Sequence, residues 1–213
     1  MLIIHHLGHS QSERIIWLCE ELGLPYELKH YDRDPVTGLA PSEYKALHPA
    51  GGAPIIMDGD VVLAESAAIM EYIIFKYGDG RLALGPQDPD FAAYLFWFHY
   101  ANGSLQPALA RMMILQRLKL PSDNPMLLAM KSRLEQALDL VEKRLGEADY
   151  LAGKSFTAAD IITVFSLTTM RLFLRLDLAP YPHILAYLQR IGARDGYRRA
   201  MHKGDPDLVP MLT

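Results

Sequence analysis

Several features that define whole classes of proteins are missing from this sequence. The single cysteine, Cys19, excludes an internal disulfide framework and any zinc site built from several cysteines. No apolar run reaches the roughly 18 residues that a membrane-spanning helix needs. Lysine and arginine total 21 against 25 aspartates and glutamates, which gives a net charge of −4. Because phosphate binding relies on an excess of positive charge, a dedicated nucleic-acid-binding protein is not expected.

The beginning of the chain also lacks the pattern of a secretory signal, since no basic stretch precedes a long apolar one in MLIIHHLGHSQSER. We therefore expect a cytoplasmic protein that contacts neither membrane nor nucleic acid. With 213 residues, half of them hydrophobic, the chain is long enough to bury a sizeable core without disulfides or metals. This length predicts one large domain or two small ones.

The first part of the chain alternates between strand and helix patterns. Leu2 to Leu7 form a short apolar run that predicts a strand, and Tyr26 to Tyr31 predict a second. Between them, from Ser10 to Leu24, apolar residues recur with the period of a helix, which either Ser10 or Ser12 is expected to cap. The apolar residues with this spacing are Ile15, Leu18, Cys19 and Leu22. Gly23 and the nearby proline are expected to end this helix.

A hairpin and a further helix complete the predicted first domain. The apolar runs Ile55–Met57 and Val61–Leu63 flank an Asp-Gly pair, which is typical of a β-hairpin. One turn of helix is expected near Ser42–Leu47, and Ser66 is expected to cap a helix that includes Tyr77. The first 78 residues therefore have the order βαβ, then ββα.

The composition changes at Gly78. Residues 79–90 are rich in glycine, proline and aspartate, as linkers are, and residues 91–213 show helical periodicity without a convincing strand. Thr157 and Asp160 have the spacing of a capping box at the start of one of these helices. We predict an α/β plus all-α fold, with an α/β domain at 1–78, a linker at 79–90 and an all-helical domain at 91–213.

Three short segments carry residues suited to binding a small charged molecule. Gly8–Ser12 lies between strand and helix, where a helix N-terminus favours anions and a serine hydroxyl can donate to a thiolate. Gly51–Ile55 places a proline beside two glycines, and a cis bond there would expose the Ala53 backbone to an extended peptide. Glu65-Ser66 offers an acid for an ammonium group and a hydroxyl for a carboxylate. Each segment also has a purely structural alternative. The first would be a serine cap, the second a simple turn, and the third a helix cap beside a surface acid.

No metal site is expected. His5 and His6 are adjacent on a strand, so their side chains point to opposite faces, and packing in the core or at an edge is the default interpretation. No set of His, Asp and Glu has the spacing of metal ligands. Cys19 lies on the apolar face of the first helix and is expected in the core.

The order of these segments resembles the cytosolic glutathione S-transferases over essentially the whole chain. His48-Pro49-Ala50-Gly51-Gly52-Ala53-Pro54 is similar to the (His/Asn)-Pro-x-Gly-x-x-Pro segment of that family, and Glu65-Ser66 and the Phe156–Asp160 box follow in the same order. The stretch HHLGHSQSERIIWLCEELGLPYEL resembles bacterial and fungal serine-type members, of a theta/delta-like or fungal-type branch. The resemblance implies a thioredoxin-like first domain, a helical-bundle second domain, glutathione as co-substrate without a metal, and a homodimer.

The resemblance also implies roles for individual residues. Ser10 is expected to touch the sulfur as the catalytic residue, with Ser12 as its rival. Ala53, before a cis Pro54, is expected to pair its backbone with the cysteinyl part of glutathione, and Glu65 and Ser66 to hold the γ-glutamyl end. The expected glutathione-binding residues are Ser10, Gln11, Gly52, Ala53, Pro54, Glu65 and Ser66.

Two positions depart from the pattern of the family. His48 stands where an asparagine is usual, and Gly52 stands where a lysine is common. The contact to the glycyl carboxylate is therefore open, with Gln11 and Lys45 as candidates. No tyrosine ends the first strand, which excludes the tyrosine-type classes, and no cysteine stands at position 10, which disfavours the thiol-transfer branch.

The implied activity is conjugation of glutathione to small hydrophobic electrophiles, as in detoxification. The helical domain is expected to form the acceptor pocket, and His99 or Arg111 is a candidate for polarising a leaving group. The candidate pocket residues are Tyr100, Ser104, Pro107, Arg111, Met112 and Met170. Two alternatives remain open: a glutathione-dependent peroxidase or isomerase on the same site, and a non-catalytic glutathione-fold module that binds a partner protein.

Overall fold

The computed structural model describes all 213 residues, which form two compact units. The first unit comprises Met1–Ala83 and Ala193–Pro210, and the second comprises Leu84–Gly192 and Met211–Thr213. A segment near the end of the chain therefore belongs to the same unit as the N-terminal residues. The assignment of residues 79–90 to a linker, between a binding domain and a helical domain, stays a prediction.

The first unit is built on a four-stranded sheet with the order β2-β1-β3-β4. The strands are β1 (Leu2–Leu7), β2 (Glu27–Tyr31), β3 (Ile55–Asp58) and β4 (Val61–Ala64). β1 is parallel to β2, whereas β3 is antiparallel to both β1 and β4. The predicted strands and the predicted Asp-Gly hairpin are confirmed.

Three helices alternate with the strands in this part of the chain. They are α1 (Glu13–Leu22), α2 (Ser42–Lys45) and α3 (Ser66–Tyr77). Nine of the ten residues of α1 are buried, so the helix is covered on almost every side. It ends at Gly23, whose φ of 67° lies in the left-handed region that glycine adopts most readily. The predicted end of α1 is confirmed, and its beginning lies three residues later than Ser10.

The second unit contains five α-helices and, as predicted, no strand. They are α4 (Phe91–Tyr100), α5 (Gln106–Arg117), α6 (Pro125–Glu147), α7 (Ala158–Leu167) and α8 (Pro182–Gly192). A π-helical turn at Ala101–Leu105 separates α4 from α5, and a 3₁₀ turn occupies Thr169–Leu172. All ten residues of α7 are buried, which places this helix in the core of the unit.

The predicted capping box at the start of α7 is confirmed. The Thr157 hydroxyl accepts from the Ala159 N–H, and the Asp160 carboxylate accepts from the Thr157 N–H at 2.8 Å. The other Asp160 oxygen accepts from the Leu151 N–H at 3.0 Å and from the Tyr187 hydroxyl at 3.1 Å. Burial raises the pKa of Asp160 to about 6, although these hydrogen bonds act in the opposite direction. The box therefore fixes the start of α7 and also ties it to α8.

A last helix, α9 (Asp195–Gly204), packs against α1 within the first unit. The rings of Trp17 and Tyr197 meet edge to face, with centroids 4.9 Å apart. Arg194 donates two hydrogen bonds of 2.8 Å to the Glu21 carboxylate. This helix is not predicted from the sequence, although its buried apolar residues Tyr197, Ala200 and Met201 have helical spacing, because they are few among charged residues.

Candidate functional site

The register of the sheet brings three segments to one of its ends. In the pair β1–β3, His5 faces Ile55, so the end of β1 lies beside the start of β3. In the pair β3–β4, Ile55 faces Ala64, so the end of β4 lies beside the same point. The loop after β1, the residues before β3 and the residues after β4 therefore lie close together. These are the three segments whose residues the sequence indicates as suited to binding a small charged molecule.

Arg33 holds the loop after β1 in place. Its Nε donates to the Gly8 carbonyl at 2.9 Å, and its Nη2 donates to the His9 carbonyl at 3.0 Å. His9 adopts a φ of 53°, in the left-handed region, so the chain turns sharply at this residue. The turn places Ser10, with 6% of its surface exposed, just before α1.

The two candidate serines are hydrogen-bonded to each other. Their Oγ atoms lie 2.7 Å apart, and the Ser12 N–H donates to Ser10 Oγ at 3.3 Å. Ser12 occupies the N-cap position of α1, but its side chain makes no capping hydrogen bond. The first-turn amides bond main-chain carbonyls instead, with the Glu13 N–H donating to Ser10 O and the Ile15 N–H to Ser12 O. Ser12 therefore does not cap this helix with its hydroxyl, whereas the Ser10 hydroxyl accepts from a backbone N–H just before α1, that of Ser12.

Ser12 also contacts His6, a residue expected only to fill space. His6 Nδ1 lies 2.8 Å from Ser12 Oγ, and Nε2 of the same ring lies 3.2 Å from Oδ2 of Asp205, which directly follows α9. Neither Nε2 nor Oδ2 has an aligned hydrogen-bond partner, so this second contact is electrostatic. Burial acts to raise the pKa of Asp205, but His6 and the His9 N–H outweigh it and hold that pKa below its ordinary value. The Asp205 carboxylate is therefore ionised at neutral pH.

Arg14 joins the loop after β1 to the beginning of α3. Its Nη1 donates to Gln11 Oε1 at 2.7 Å and to Ser66 Oγ at 3.1 Å. The side chain is fully buried, and this burial lowers the pKa of the guanidinium. Ser66 is the first residue of α3, with Glu65 in the N-cap position. The expectation that Ser66 caps this helix is therefore wrong, and its hydroxyl serves Arg14 instead.

The peptide bond between Ala53 and Pro54 is cis, as the resemblance to the family implies. Pro54 is buried and Ala53 is half-buried against a cluster that includes Tyr44 and Ile55. Gly52 is exposed, and a Cβ at this position would contact only the Ala50 carbonyl oxygen, at 3.9 Å. The core cluster therefore holds the backbone at Ala53 in place. The exposed Gly52 next to it leaves this backbone accessible to a ligand.

Glu65 has a backbone conformation that its residue type rarely adopts. Its φ is 74° and its ψ is 114°, and its side chain is exposed. A positive φ in a residue other than glycine is found mostly where the surrounding structure imposes it. Lys45, the alternative candidate for the glycyl carboxylate, is exposed on α2.

The acceptor candidates all lie in the second unit, but they differ in exposure. Met112 and Met170 are buried, and the half-buried Tyr100 donates its hydroxyl to a carbonyl of α6 at 3.4 Å. Burial raises the pKa of Tyr100. Pro107 is half-buried, whereas Ser104 and Arg111 are exposed. Their common role in one pocket stays a prediction.

The second unit also has an open cavity of about 1130 Å³, which contains none of the six acceptor candidates. It is lined by apolar side chains, by four basic ones, and by Gln116 and Asp177. The basic residues are Arg117, Lys119, Arg171 and Arg175.

Sequence reasoning missed the roles of three buried charged or titratable residues. Arg14 has a local indication, since a charged side chain inside a helix that is buried on almost every side needs a polar partner. His6 gives a weaker indication, because a histidine in an apolar strand more often packs in the core without a further role. Asp205 gives none, since its partners lie at the other end of the chain.

Other expectations about reactive groups concern cysteine and metals. Cys19 is buried as predicted, and burial raises the pKa of its thiol to about 12. No three His, Cys, Asp or Glu side chains come close enough together to ligate a metal ion. None of the helices combines the length and the apolar character needed to cross a bilayer.

Comparisons with known proteins agree with this architecture. The family model of the glutathione S-transferase N-terminal domain matches residues 10–74, and that of the C-terminal domain matches residues 91–195. Glutathione S-transferase 3 of Schizosaccharomyces pombe is 32% identical over 100% of this chain and 92% of its own length. Glutathione S-transferase 1 of Saccharomyces cerevisiae is 30% identical over 94% of each chain. The crystal structure of a glutathione S-transferase from Actinobacillus pleuropneumoniae matches with a TM-score of 0.87 at 32% identity, over 96% of this chain and 93% of that one.

The chain belongs to the glutathione S-transferase family. Its first domain is thioredoxin-like, its second is helical, and its activity is that of a glutathione transferase with glutathione as the co-substrate. The family resemblance, the fold class and the enzyme class predicted from the sequence are confirmed. The branch, theta/delta-like or fungal-type, stays a prediction.

Proposed function

We propose that glutathione binds at the end of the sheet where the three segments meet, and that Ser10 stabilises its thiolate for attack on a small hydrophobic electrophile. The observation that carries this proposal is the convergence of the loop after β1 with the segments before β3 and after β4. A tripeptide needs separate contacts for its sulfur, its backbone and its charged ends. Segments with complementary chemistry approach one another at this edge.

The contacts of glutathione are assigned segment by segment. The main chain of Ala53, before the cis Pro54, pairs with the cysteinyl part, and the exposed Gly52 leaves room for it. The exposed Glu65 pairs with the ammonium of the γ-glutamyl end, and Ser66 bonds its carboxylate. Gln11 directs its amide oxygen to Arg14, which leaves its NH₂ group to donate to the glycyl carboxylate. Lys45 is the second candidate for that carboxylate.

The energy needed for thiolate stabilisation is modest. Lowering the pKa of a thiol from roughly 8.5 to about 6.5 takes about 2.7 kcal/mol. One charge-assisted hydrogen bond supplies about 1.5–3 kcal/mol, and a helix N-terminus adds up to about 1. A free thiol of this kind is already about 3% ionised at pH 7, so ionisation accelerates the reaction by at most ~30-fold. Any further acceleration comes from holding the electrophile close to the sulfur.

The helical domain supplies the acceptor site, with Tyr100, Ser104, Pro107, Arg111, Met112 and Met170 as the residues assigned to it. Membership of the family supports glutathione binding by the first domain and acceptor binding by the helical one. It also supports a cytoplasmic homodimer. Exposed aromatic side chains, Phe75 in α3 and Phe96 in α4, are consistent with a further interface. Sedimentation of the purified protein measures whether it forms a dimer.

Retention on glutathione-agarose, followed by conjugation of an aryl halide, tests the activity. Retention and conjugation together are expected. Retention without either conjugation or peroxide reduction would favour the non-catalytic module, and peroxide or isomerase turnover alone would favour the alternative enzyme.

The role of Ser10 is tested by Ser10→Ala, with Ser132→Ala on the exposed face of α6 as the matched control. Removing a hydrogen bond made to the thiolate should lower kcat by at least about tenfold, with a smaller effect on glutathione affinity. The control should match the wild type. Unchanged turnover in Ser10→Ala, together with a loss in Ser12→Ala, would transfer the role to Ser12.

A further inference from the structure

The turn that follows β1 has every main-chain polar group of its two residues, Gly8 and His9, paired. The Gly8 N–H donates to the Tyr31 carbonyl at 3.0 Å, which continues the pairing of β1 with β2. The two carbonyls of the turn accept from Arg33, that of Gly8 from Nε at 2.9 Å and that of His9 from Nη2 at 3.0 Å. The His9 N–H donates to Oδ1 of Asp205 at 3.0 Å. One arginine and one aspartate therefore hold three of the four groups.

These hydrogen bonds keep His9 in an uncommon backbone conformation. Its φ of 53° lies in the left-handed region, which glycine adopts freely and other residues only rarely. The imidazole is exposed, and its Nε2 is 3.8 Å from Asp205 Oδ1, so the side chain does little to hold this conformation. A residue persists in such a region when the surrounding structure imposes it. Here the main-chain contacts to Arg33 and Asp205 impose it.

Arg33 is itself anchored on the side away from this turn. Its Nη1 donates to the Gly38 carbonyl at 3.0 Å, so each nitrogen of the guanidinium bonds a main-chain oxygen. Asp34 organises the loop that presents this carbonyl, because its Oδ1 accepts from the Val36 N–H at 3.0 Å and from the Thr37 N–H at 2.7 Å. The planar fork of arginine spans three separate acceptors, which the single nitrogen of a lysine side chain cannot do.

Ser10 is the residue most exposed to a change in this turn. β1 is fixed in the sheet on one side, and α1 is buried on almost every side on the other. A rotation of the His9 backbone must therefore be absorbed by the few residues between them, and Ser10 is the next in the chain. Its Oγ now lies 2.7 Å from Ser12 Oγ.

We propose that Arg33 is a positioning residue for the transferase reaction, which holds the turn at His9 in its left-handed conformation and thereby places the Ser10 hydroxyl at the sulfur of glutathione. Asp205 holds the same turn from the side of the amide. Without the arginine fork, His9 relaxes towards negative φ and Ser10 Oγ moves away from the sulfur. This inference rests on the proposed contact between Ser10 and the thiolate.

Arg33→Lys tests the proposal, because it keeps the positive charge and removes the fork. kcat for conjugation should fall about tenfold, since a displaced hydroxyl stabilises the thiolate poorly. KM for glutathione should change less than about twofold, because Arg33 is not assigned to any contact with the tripeptide. The ultraviolet absorbance of the thiolate, titrated in the complex with glutathione, should show a thiol pKa raised by up to about one unit. Arg133→Lys, exposed on α6, makes the same exchange and should match the wild type.

A second variant, His9→Gly, distinguishes control of this turn from general support of the fold. Glycine adopts the left-handed conformation without a steric cost, so the turn then depends less on Arg33. In the His9→Gly background, Arg33→Lys should lower kcat less than about threefold, compared with about tenfold in the wild-type background. An equal loss in both backgrounds would overturn the proposal.

The outcomes also separate this inference from the proposed function. Wild-type kcat and thiol pKa in Arg33→Lys, together with a loss in Ser10→Ala, would overturn the role of Arg33 and leave that of Ser10 intact. Wild-type values in both variants would overturn both. A lower kcat in Arg33→Lys with an unchanged thiol pKa would mean that Arg33 only keeps the unit folded, which also overturns the inference. A raised thiol pKa in Arg33→Lys that His9→Gly reduces supports it.

Discussion

Arg14 donates a hydrogen bond to the Ser66 hydroxyl over 3.1 Å, which joins residues 52 positions apart in the chain. The same Nη1 donates to Gln11 at 2.7 Å. One buried guanidinium therefore sets the loop after β1 against the first turn of α3. The residues assigned to the two ends of glutathione, Gln11 and Ser66, share this support.

Arg14→Lys should weaken glutathione binding even though the positive charge is kept. An ammonium group at the end of a flexible chain does not reproduce the planar guanidinium that reaches both Gln11 and Ser66. The loss of one buried charge-assisted hydrogen bond, about 1.5 kcal/mol or more, corresponds to at least about tenfold in Kd. Titration calorimetry measures the affinity, and Arg133→Lys, exposed on α6, is the control. An unchanged Kd in Arg14→Lys would contradict the supporting role.

Glu65→Gln should lower glutathione affinity without affecting stability. The side chain is exposed, so its pairing with the ammonium of the γ-glutamyl end is worth up to about 1 kcal/mol, or about fivefold in Kd. Glu71→Gln makes the same change of charge on the exposed face of α3 and should leave the affinity unchanged. Equal affinity losses in the two variants would mean that only the overall charge matters.

Asp58 should stabilise the first unit at neutral pH, and this stabilisation should be lost in acid. Its Oδ2 accepts from Lys76 at 2.6 Å, Tyr77 at 2.5 Å and Tyr72 at 2.9 Å, and these hydrogen bonds, that of Lys76 foremost, lower its pKa to about 2. Because the folded pKa lies below the ordinary value of 3.8, the stabilisation is complete above pH 3.8 and disappears as the pH falls through about 2.

The test compares Asp58→Asn with the wild type in urea denaturation from neutral pH to pH 2. The variant should be less stable by about 1 kcal/mol near neutral pH, a modest figure because Lys76 is partly exposed to solvent. The difference should shrink as the pH approaches 2. Asp60→Asn, in the exposed turn of the same hairpin, should show no such convergence. A difference that stays constant with pH would refute the ionic origin of the effect.

The capping box should contribute to the stability of the second unit through two separable parts. Thr157→Ala removes the cap and should cost about 1 kcal/mol, while Thr157→Ser should restore most of it. Asp160→Asn should cost more, about 2–3 kcal/mol, because both carboxylate oxygens accept from N–H groups and an amide offers only one acceptor. Denaturant unfolding measures all three. Equal stability of Asp160→Asn and the wild type would show that the buried carboxylate is dispensable.

Local rules account for the parts of the structure that could be predicted from the sequence. The end of α1 at Gly23, the Asp-Gly hairpin between β3 and β4 and the capping box at Thr157 each depend on residues within a few positions of one another. The order of strands and helices, and through it the fold class, follows from the periodicity of apolar residues.

Tertiary structure alone decided which polar groups meet. Ser12 and Ser66 were both expected as helix caps, yet their hydroxyls bond His6 and Arg14, because packing brings those groups within reach. The contact between His9 and Asp205 joins residues 196 positions apart. A short-range pattern carries no information about such pairs, since their distance is set by sheet register and by helix packing. The sequence by itself therefore determined the elements and the family, whereas the register and the packing of α9 determined the environment of Ser10.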